Sequence, residues 1–454
     1  MTREAATDER PAVSKPVAAL AAALDEAGIR YCHWKSNEAL ERSLRGENDL
    51  DVLIDRTQAT RFAAVLLDLG FVAAQSPPTK EIPGIWDFYA FQEGRPLHVH
   101  AHSHLVAGDD ATKNFRIPIE RAFLASVRKE SLLPMPSPEF EYLVFVIRMT
   151  VKHCPWDSLA GRKGRLTASE QRELAWLERR IDRAKLDEVL IQHLPFVPVE
   201  LFNQCNDAIS PSAGFAKRAR AGRRMLVALR AQGTRSLSAD LALRIWRRTM
   251  SRSDRKRRPI QGGLIVAVVG GDGSGKSTAV DLLVEMLQRD LATKRLHLGK
   301  PPSTLLSKTI RFLARRMWPS SLRGPLGSVL LARDRHHAYM TARRACAAGS
   351  IVICDRFPLG LLRTMDGPRT HEGWAHPVES RYYRQLLPPD LLVVMRVDPA
   401  TAVSRRPDQE ASFVERRAAE VWATEWPNWA LVIDAGRPLE EVAAEVRQKV
   451  WGAL

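Results

Sequence analysis

The sequence predicts an α/β chain in two parts, a doubly wound parallel-sheet domain over 263–454 and a small mixed α/β domain over 15–116 that continues into a helical extension. Three observations predict it. LIVAVVGGDGSGKSTAVDLLVEMLQRD runs apolar strand, Gly-rich loop, helix, and is followed by the further apolar runs SIVIC and PPDLLVVMRVD with helical spacing between them. Strand-like RYCHW, LDVLI, WDFYAF and PLHVHAHSHLV alternate with helical VAALAAALDEAGI and RFAAVLLDLGF in the N-terminal part. Between the two parts SRSDRKRRPIQGG breaks every periodicity, as an interdomain boundary does.

Taken in order, residues 1–14 read as a disordered tail, and the helical spacing from Val17 opens the domain 15–116. LDVLI (50–54) reads as a buried strand, and the turn-like QEGR joins WDFYAF to PLHVHAHSHLV as a hairpin. Over 117–210 strand signals fade, and PEFEYLVFVIRMTVKH and TASEQRELAWLERRIDRAKLDEVLIQHL read as helices. Residues 211–262 form a basic helical segment and linker, with Arg-rich faces on PSAGFAKRARAGRRMLVALRAQ and ADLALRIWRRTM, and no internal repeat is visible.

At 454 residues the chain exceeds a single compact core. Its five cysteines, Cys32, Cys154, Cys205, Cys346 and Cys354, form no CxxC pair, which argues against a zinc ribbon and a disulfide framework and predicts a reducing, cytoplasmic setting. No apolar run reaches the length of a membrane span, and the N-terminus carries acids without an apolar core, so it does not read as a secretory signal. The formal charge of +16 is concentrated: Lys217 to Arg258 holds fifteen Lys/Arg against the two acids Asp240 and Asp254. Such a segment is either a solvated linker or a surface for an anionic partner, an anionic inner-membrane face or a nucleic acid.

The pattern G-x-x-x-x-G-K-[ST] falls on Gly270, Gly275, Lys276 and Ser277. A strand that delivers a Gly-rich loop to a helix N-terminus places unpaired N–H groups and the positive end of the helix dipole at phosphate oxygens. Gly270, Gly271, Gly273, Ser274, Gly275 and Thr278 would cradle the phosphates, Lys276 would reach their terminal oxygens, and the Ser277 hydroxyl would take a Mg²⁺ position, so ATP and Mg²⁺ are the expected cofactors. Asp355 and Arg356 end the strand SIVIC, at the sheet edge where ligands bind in doubly wound folds.

Nearly all of 264–454 resembles thymidylate kinases, a family of P-loop kinases, in GGDGSGKST, in Asp334–Arg335 on a helix, in Asp355–Arg356–Phe357 and in the PDL before a later strand. The resemblance implies that Asp272 faces the acceptor and that Arg335 and Arg356 hold its phosphate. It also implies that Asp355 positions Mg²⁺-bound water or the acceptor. A lid carries Arg405, Arg406, Arg416 and Arg417, and a homodimer is implied, since that family is commonly dimeric. The sequence departs from the family at RLHLGKPPST (295–304), which lacks the Arg-Glu pair of the family's acceptor-lining stretch. The acceptor therefore stays open between a nucleotide and a phosphosugar.

In the N-terminal part, Lys35–Ser36–Asn37 precedes Asp49 and Asp51, which share a strand face and could hold one divalent metal pair. This pattern resembles the polymerase-β-type nucleotidyltransferase superfamily over roughly 17–150. His98, His100, His102 and His104 alternate along PLHVHAHSHLV, and His100 stands where that superfamily has a third acid. Asp49, Asp51 and His100 are thus a candidate second metal site, with a polar strand face, a Mn²⁺ or Zn²⁺ site and a working transferase site all open. The function expected is an ATP- and Mg²⁺-dependent phosphotransferase fused to a nucleotidyltransferase-like domain, an arrangement that resembles chains of bacterial surface-polysaccharide synthesis. The alternative is a polynucleotide kinase-type end-processing protein, for which aromatic residues near the arginines, Phe215 and Trp246, are sparse.

Overall fold

The computed structural model describes residues 13–77, 80–92, 94–110, 112–155, 164–249, 256–358 and 375–454. The expected N-terminal tail, apart from its last two residues, and most of the stretch SRSDRKRRPIQGG before Lys256 lie outside them. The chain divides into two compact units, Met1–Arg255 and Lys256–Leu454. The division falls inside the basic segment 211–262.

The first unit opens with α1 (Lys15–Glu26), which starts on Pro16 in its first turn and buries Val17, Leu20, Ala21 and Leu24 at helical spacing. The strands β1 (Tyr31–His33), β2 (Leu50–Ile54), β3 (Val72–Gln75), β4 (Ile85–Gln92) and β5 (Arg95–His102) run in the order β1-β2-β5-β4-β3. Only β2 and β5 among these pair in parallel; β1–β2, β5–β4 and β4–β3 are antiparallel. The short α2 (Leu40–Leu44) lies between β1 and β2, and α3 (Ala59–Asp68) between β2 and β3. Leu50, Val52, Phe88 and Val99 pack with Val17, Leu20, Phe62 and Leu66 from α1 and α3 in one core. Alternation along the strands sends Asp51, Asp87 and His100 to the opposite face.

Two facts of register place the chemistry of this sheet. Asp51 pairs with His100 across β2 and β5, and His100 pairs with Asp87 across β5 and β4. The strand ends at His102, so His104 leaves the face on which the sequence alternation had placed it; its Nδ1 lies 2.9 Å from Ser103 Oγ.

After the small ladder β6 (Val106–Ala107) and β7 (Phe115–Arg116) come the helices α4 (Glu120–Ala125), α5 (Pro138–His153), α6 (Ala168–Glu178), α7 (Arg183–His193), α8 (Val199–Ile209), α9 (Phe215–Ala228) and α10 (Leu237–Thr249). Helix α5 is buried on nearly every side, which explains its all-round apolar sequence. Around it Phe145 and Ile147 share a core with Leu186, Leu190, Phe202 and Met225. Gly222 permits the approach of α9, because a Cβ there would lie 2.5 Å from Cys154 O. The basic helices spend part of their charge internally: Arg218 donates from Nε to Ala208 O at 3.2 Å, and Arg244 pairs with Asp240 at 3.1 Å. Arg218, Arg244 and Arg247 are all buried.

The second unit has a short strand β8 (Arg258–Pro259), then β9 (Ile265–Gly270), α11 (Lys276–Gln288), β10 (Thr293–His297), α12 (Leu305–Met317), α13 (Ser320–Ala347) and β11 (Ile351–Asp355). It continues through α14 (Ala375–Arg384), β12 (Leu391–Arg396), α15 (Pro399–Ser404), α16 (Ala411–Ala423), β13 (Ala430–Asp434) and α17 (Leu439–Trp451). The sheet order is β10-β11-β9-β12-β13, every pair parallel. Every residue of β9 and β11 is buried, as expected for central parallel strands covered on both faces. The chain runs to one side of β9 for β10 and β11, then crosses to the other for β12 and β13. The C-terminal end of β9 is therefore the switch point, where a crevice opens between diverging connections.

Candidate active site

The Gly-rich loop Gly270–Gly275 occupies that switch point, and α11 begins at Lys276 behind a left-handed Gly275. Gly273 also has a positive φ, 79°, and a Cβ there would lie 2.6 Å from Ala402 O, so any side chain would push α15 off the loop. Ser274 Oγ donates to Gly271 O at 2.8 Å, and the buried Lys276 ammonium donates to the same carbonyl. Ser277 and Thr278, in the first turn of α11, stay exposed at the helix N-terminus.

Two segments converge on Asp272. Arg417 of α16 donates from Nη1 to Asp272 Oδ2 at 2.8 Å, and Arg356, just beyond β11, reaches Asp272 Oδ1 from Nη2 at 3.4 Å. Arg356 holds a left-handed φ of 69°, unusual for a non-glycine residue, while its N–H donates to Val268 O at 3.0 Å. Asp355, at the end of β11, is buried, with Arg295 Nη2 and His297 Nδ1 each 3.7 Å from Oδ2. Carboxylates and guanidiniums thus gather at the mouth of a loop that presents backbone N–H groups.

The other site candidates lie elsewhere. Arg335 is buried and brackets two segments, donating to Leu298 O at 2.8 Å and Gly299 O at 2.7 Å on one and to Tyr383 OH at 2.8 Å on the other. Its neighbour Asp334 accepts from Thr304, Ser307 and Arg311, a cluster that ties α12 to α13. Arg405 donates to Ala435 O at 2.8 Å and lines a cavity of about 260 Å³ with Ser274, Thr278, Leu439 and Val442. Arg406 pairs with Asp408 at 2.9 Å on the surface, and Arg416 is exposed on α16. The contribution of α17 to the cavity was not anticipated from sequence, although Leu439, Val442, Ala443 and Val446 stand at helical spacing.

In the first unit, the turn Lys35–Ser36–Asn37 is clamped by two helices. Ser36 has a φ of 58° and donates its N–H to Glu173 Oε1 of α6 at 2.8 Å. The buried Asn37 is hydrogen-bonded to His33 Nδ1 at 2.6 Å and donates to Glu141 Oε1 of α5 at 2.9 Å. Burial, with Glu173 nearby, pushes the Glu141 carboxyl up to about 8. The turn delivers Lys35, whose Nζ lies 2.7 Å from Asp51 Oδ1.

Beside that pair runs a row of imidazoles and carboxylates. His98 bridges Asp49 at 3.1 Å through Nδ1 and Asp87 at 2.8 Å through Nε2. Burial by itself would lower the His98 ring, but the two carboxylates outweigh it and raise it to about 9, so it is an imidazolium at neutral pH. His100 Nδ1 lies 3.1 Å from Asp51 Oδ1, and His102 Nε2 lies 3.2 Å from His100 Nδ1. Burial would raise the Asp51 carboxyl, yet Lys35 and His100 hold it well below the usual range. Burial keeps the His102 ring well below its ordinary value. Asp49 and Asp51 thus face different cations. Asp87 was missed from sequence because it is a lone acid in WDFYAF; only counting back through the hairpin turn pairs it with His100.

A parallel sheet whose switch point carries a Gly-rich loop, a lysine and hydroxyls at the helix start, and facing guanidiniums defines the class of P-loop phosphotransferases. Within that class, the thymidylate kinase family model matches residues 268–446. The chain is 30% identical over 204 residues to the thymidylate kinase of Magnetococcus marinus, spanning 96% of that protein and 42% of this chain. It is 32% identical over 213 residues to that of Leifsonia xyli subsp. xyli, again over 96% of the relative and 42% of this chain. With that of Clavibacter sepedonicus the identity is 30% over 209 residues, 94% of the relative and 41% of this chain. The chain belongs to the thymidylate kinase family, and the matched part of its second unit is a kinase domain. Among the described residues, no helix is long and apolar enough to cross a membrane.

Proposed function

We propose that the second unit transfers the terminal phosphoryl group of ATP to a phosphate-bearing acceptor, either a nucleotide, with thymidylate the candidate that the relatives' names supply, or a phosphosugar. The observation that carries this reading is the loop at the sheet's switch point, flanked by the Arg405-lined cavity of about 260 Å³. That cavity opens beside Ser274, Gly275 and Thr278, where a nucleotide with its phosphates on the loop would lay its base. Lys276 would leave Gly271 O for the β and γ oxygens. Arg356 and Arg417, held by Asp272, carry the charge to receive acceptor phosphate and the transferring group. Asp272 keeps both guanidiniums aimed at the loop.

Ser277 and Asp355 are the residues that fit Mg²⁺, one an exposed hydroxyl at the helix start and the other a carboxylate at the adjacent strand end; the ion would neutralise phosphate charge. Arg335, tied to Leu298, Gly299 and Tyr383, suits positioning of the acceptor wall better than direct phosphate contact. The test is transfer from labelled ATP to nucleoside monophosphates, sugar phosphates and 5′-hydroxyl oligonucleotides, with Lys276→Ala as control. Transfer to one of the first two classes, lost in the variant, is expected. Equal transfer by both proteins would end the kinase reading, and transfer to the oligonucleotide alone would favour nucleic-acid end processing.

For the first unit we propose a nucleotidyltransferase-like fold. The supporting observation is the clamped turn Lys35–Ser36–Asn37 leading to Asp51 on a strand of a mixed sheet. Transfer of a nucleotidyl group that survives Asp49→Ala with Asp51→Ala would remove these carboxylates from any such activity.

A further inference from the structure

The row of side chains on β2, β4 and β5 divides into two sets. His98 is fully engaged, each ring nitrogen meeting a carboxylate, Asp49 at 3.1 Å and Asp87 at 2.8 Å. The remaining set is Asp51, His100 and His102, whose ligand atoms all lie within 4.8 Å of one another. Asp51 Oδ1 to His100 Nδ1 is 3.1 Å and His100 Nδ1 to His102 Nε2 is 3.2 Å. Ligands bound at about 2.1 Å to one ion in tetrahedral or octahedral geometry stand roughly 3.0–3.4 Å apart, so these two separations need little adjustment, while the third, from Asp51 to His102, lies within 4.8 Å.

We propose that Asp51, His100 and His102 form a transition-metal site that selects Zn²⁺-class ions over Mg²⁺. Imidazole nitrogen suits Zn²⁺, Co²⁺ and Ni²⁺, whereas Mg²⁺ seeks oxygen ligands. One further observation points to a ligand. His102 is 2% exposed, its Nε2 faces His100 Nδ1 at 3.2 Å, and its Nδ1 has no hydrogen-bond partner among the described residues, so neither nitrogen of this buried ring is shown bonded outside the set. His100 Nε2 lies 4.0 Å from Asp87 Oδ1, an oxygen that His98 Nε2 engages at 2.8 Å, so Asp87 adds negative charge near the site without holding the His100 ring. The side chains of Asp51 and His100 are 14% and 23% exposed, which leaves an approach from solvent and an open coordination position, as catalytic zinc sites have.

Lys35 is the rival cation, with its ammonium 2.7 Å from Asp51 Oδ1. An arriving ion must displace or repel it, so Lys35 sets the affinity of the site. This inference goes beyond the nucleotidyltransferase-like reading, which calls on Asp49 with Asp51 and a pair of hard ions, and it stands if that reading fails.

The experiment titrates the full chain, stripped of metal with chelator, with Co²⁺ followed by its visible absorption, then with Zn²⁺ in competition. The expected result is one Co²⁺ equivalent that Zn²⁺ displaces and millimolar Mg²⁺ does not. His100→Ala and Asp51→Asn should each weaken binding by about tenfold or more. Lys35→Gln should bind about tenfold tighter, and a gain of affinity cannot arise from misfolding. Absence of a Co²⁺ signal, unaltered binding in both His100→Ala and Asp51→Asn, displacement by equimolar Mg²⁺, or weaker binding in Lys35→Gln would each overturn the site.

Discussion

The two units build their candidate sites from different materials. In Lys256–Leu454 the loop after β9 works mainly through its backbone: left-handed glycines, N–H groups at the start of α11, and one buried lysine. In Met1–Arg255 the working parts are side chains, aligned across β2, β5 and β4 by register. A backbone cradle keeps its charge pattern at any pH near neutrality, because amide dipoles do not titrate. A row of aspartates and histidines changes with every proton it gains or loses. Sites of the first kind suit a fixed ligand class such as phosphate, and sites of the second kind are tuned by whichever cation occupies them.

Four experiments break or sharpen this contrast, in descending order of expected effect. Lys276→Ala should lower phosphoryl transfer by about 10²–10³-fold, read as kcat/KM, while leaving the titration of His98 unmoved. A His98 titration that shifted with this variant would undo the separation of the two sites. Gly273→Ala should destabilise the second unit by roughly 1–3 kcal/mol through its clash with Ala402 O and erase the rise in Tm that ATP confers, measured by calorimetry. A variant that melts and binds ATP as wild type does would show that side chains rather than backbone hold the nucleotide.

The third experiment is a pH series on the first unit's unfolding in the intact chain. His98 is raised to about 9 and Glu141 to about 8, so both hold a proton in the folded chain that the unfolded chain releases at lower pH. Their contribution is fully present below the unfolded values and is lost as pH climbs. For Glu141 the loss runs from the ordinary carboxyl range to about 8, and for His98 from about 6.5 to about 9. Stability should therefore fall between pH 6 and 9, and Glu141→Gln should flatten part of that slope. A rising slope would refute the assignment. The smallest effect is expected from Asp87→Asn, which leaves Asp49 as the single carboxylate on His98 and should lower that ring's midpoint by about one unit in a proton NMR titration.

How much was legible in the string follows from how far apart the cooperating residues are. The Gly-rich loop spans nine residues, and its strand, glycines, lysine and hydroxyls follow one another, so the pattern at Gly270–Thr278 needed no tertiary information. The pairing of Asp272 with Arg356 and Arg417 needed the fold, since these lie 84 and 145 residues away. The same holds for the cavity, which joins α11 to Arg405 and to the apolar stripe of α17. In the first unit the DLD and the alternating histidines were visible, yet their partners were not. Asp87 took its place through hairpin register, and Asn37 became a buried bracket through Glu141, far along the chain on α5. The arginine-rich segment looked like surface charge, and burial of Arg218, Arg244 and Arg247 turned part of it inward.

By itself, then, the sequence determined what is local: the class of the second domain, its phosphate-binding loop, and the strands and helices with the strongest periodicity. Those follow from contiguous chemistry, because periodicity, glycine and a helix N-terminus act within a few residues. Only the tertiary structure decided which strands neighbour one another, which carboxylate each histidine and arginine faces, and which charges are buried. Each of those outcomes depends on strand register and packing between distant segments, where a shift of one residue reverses the face that a side chain presents.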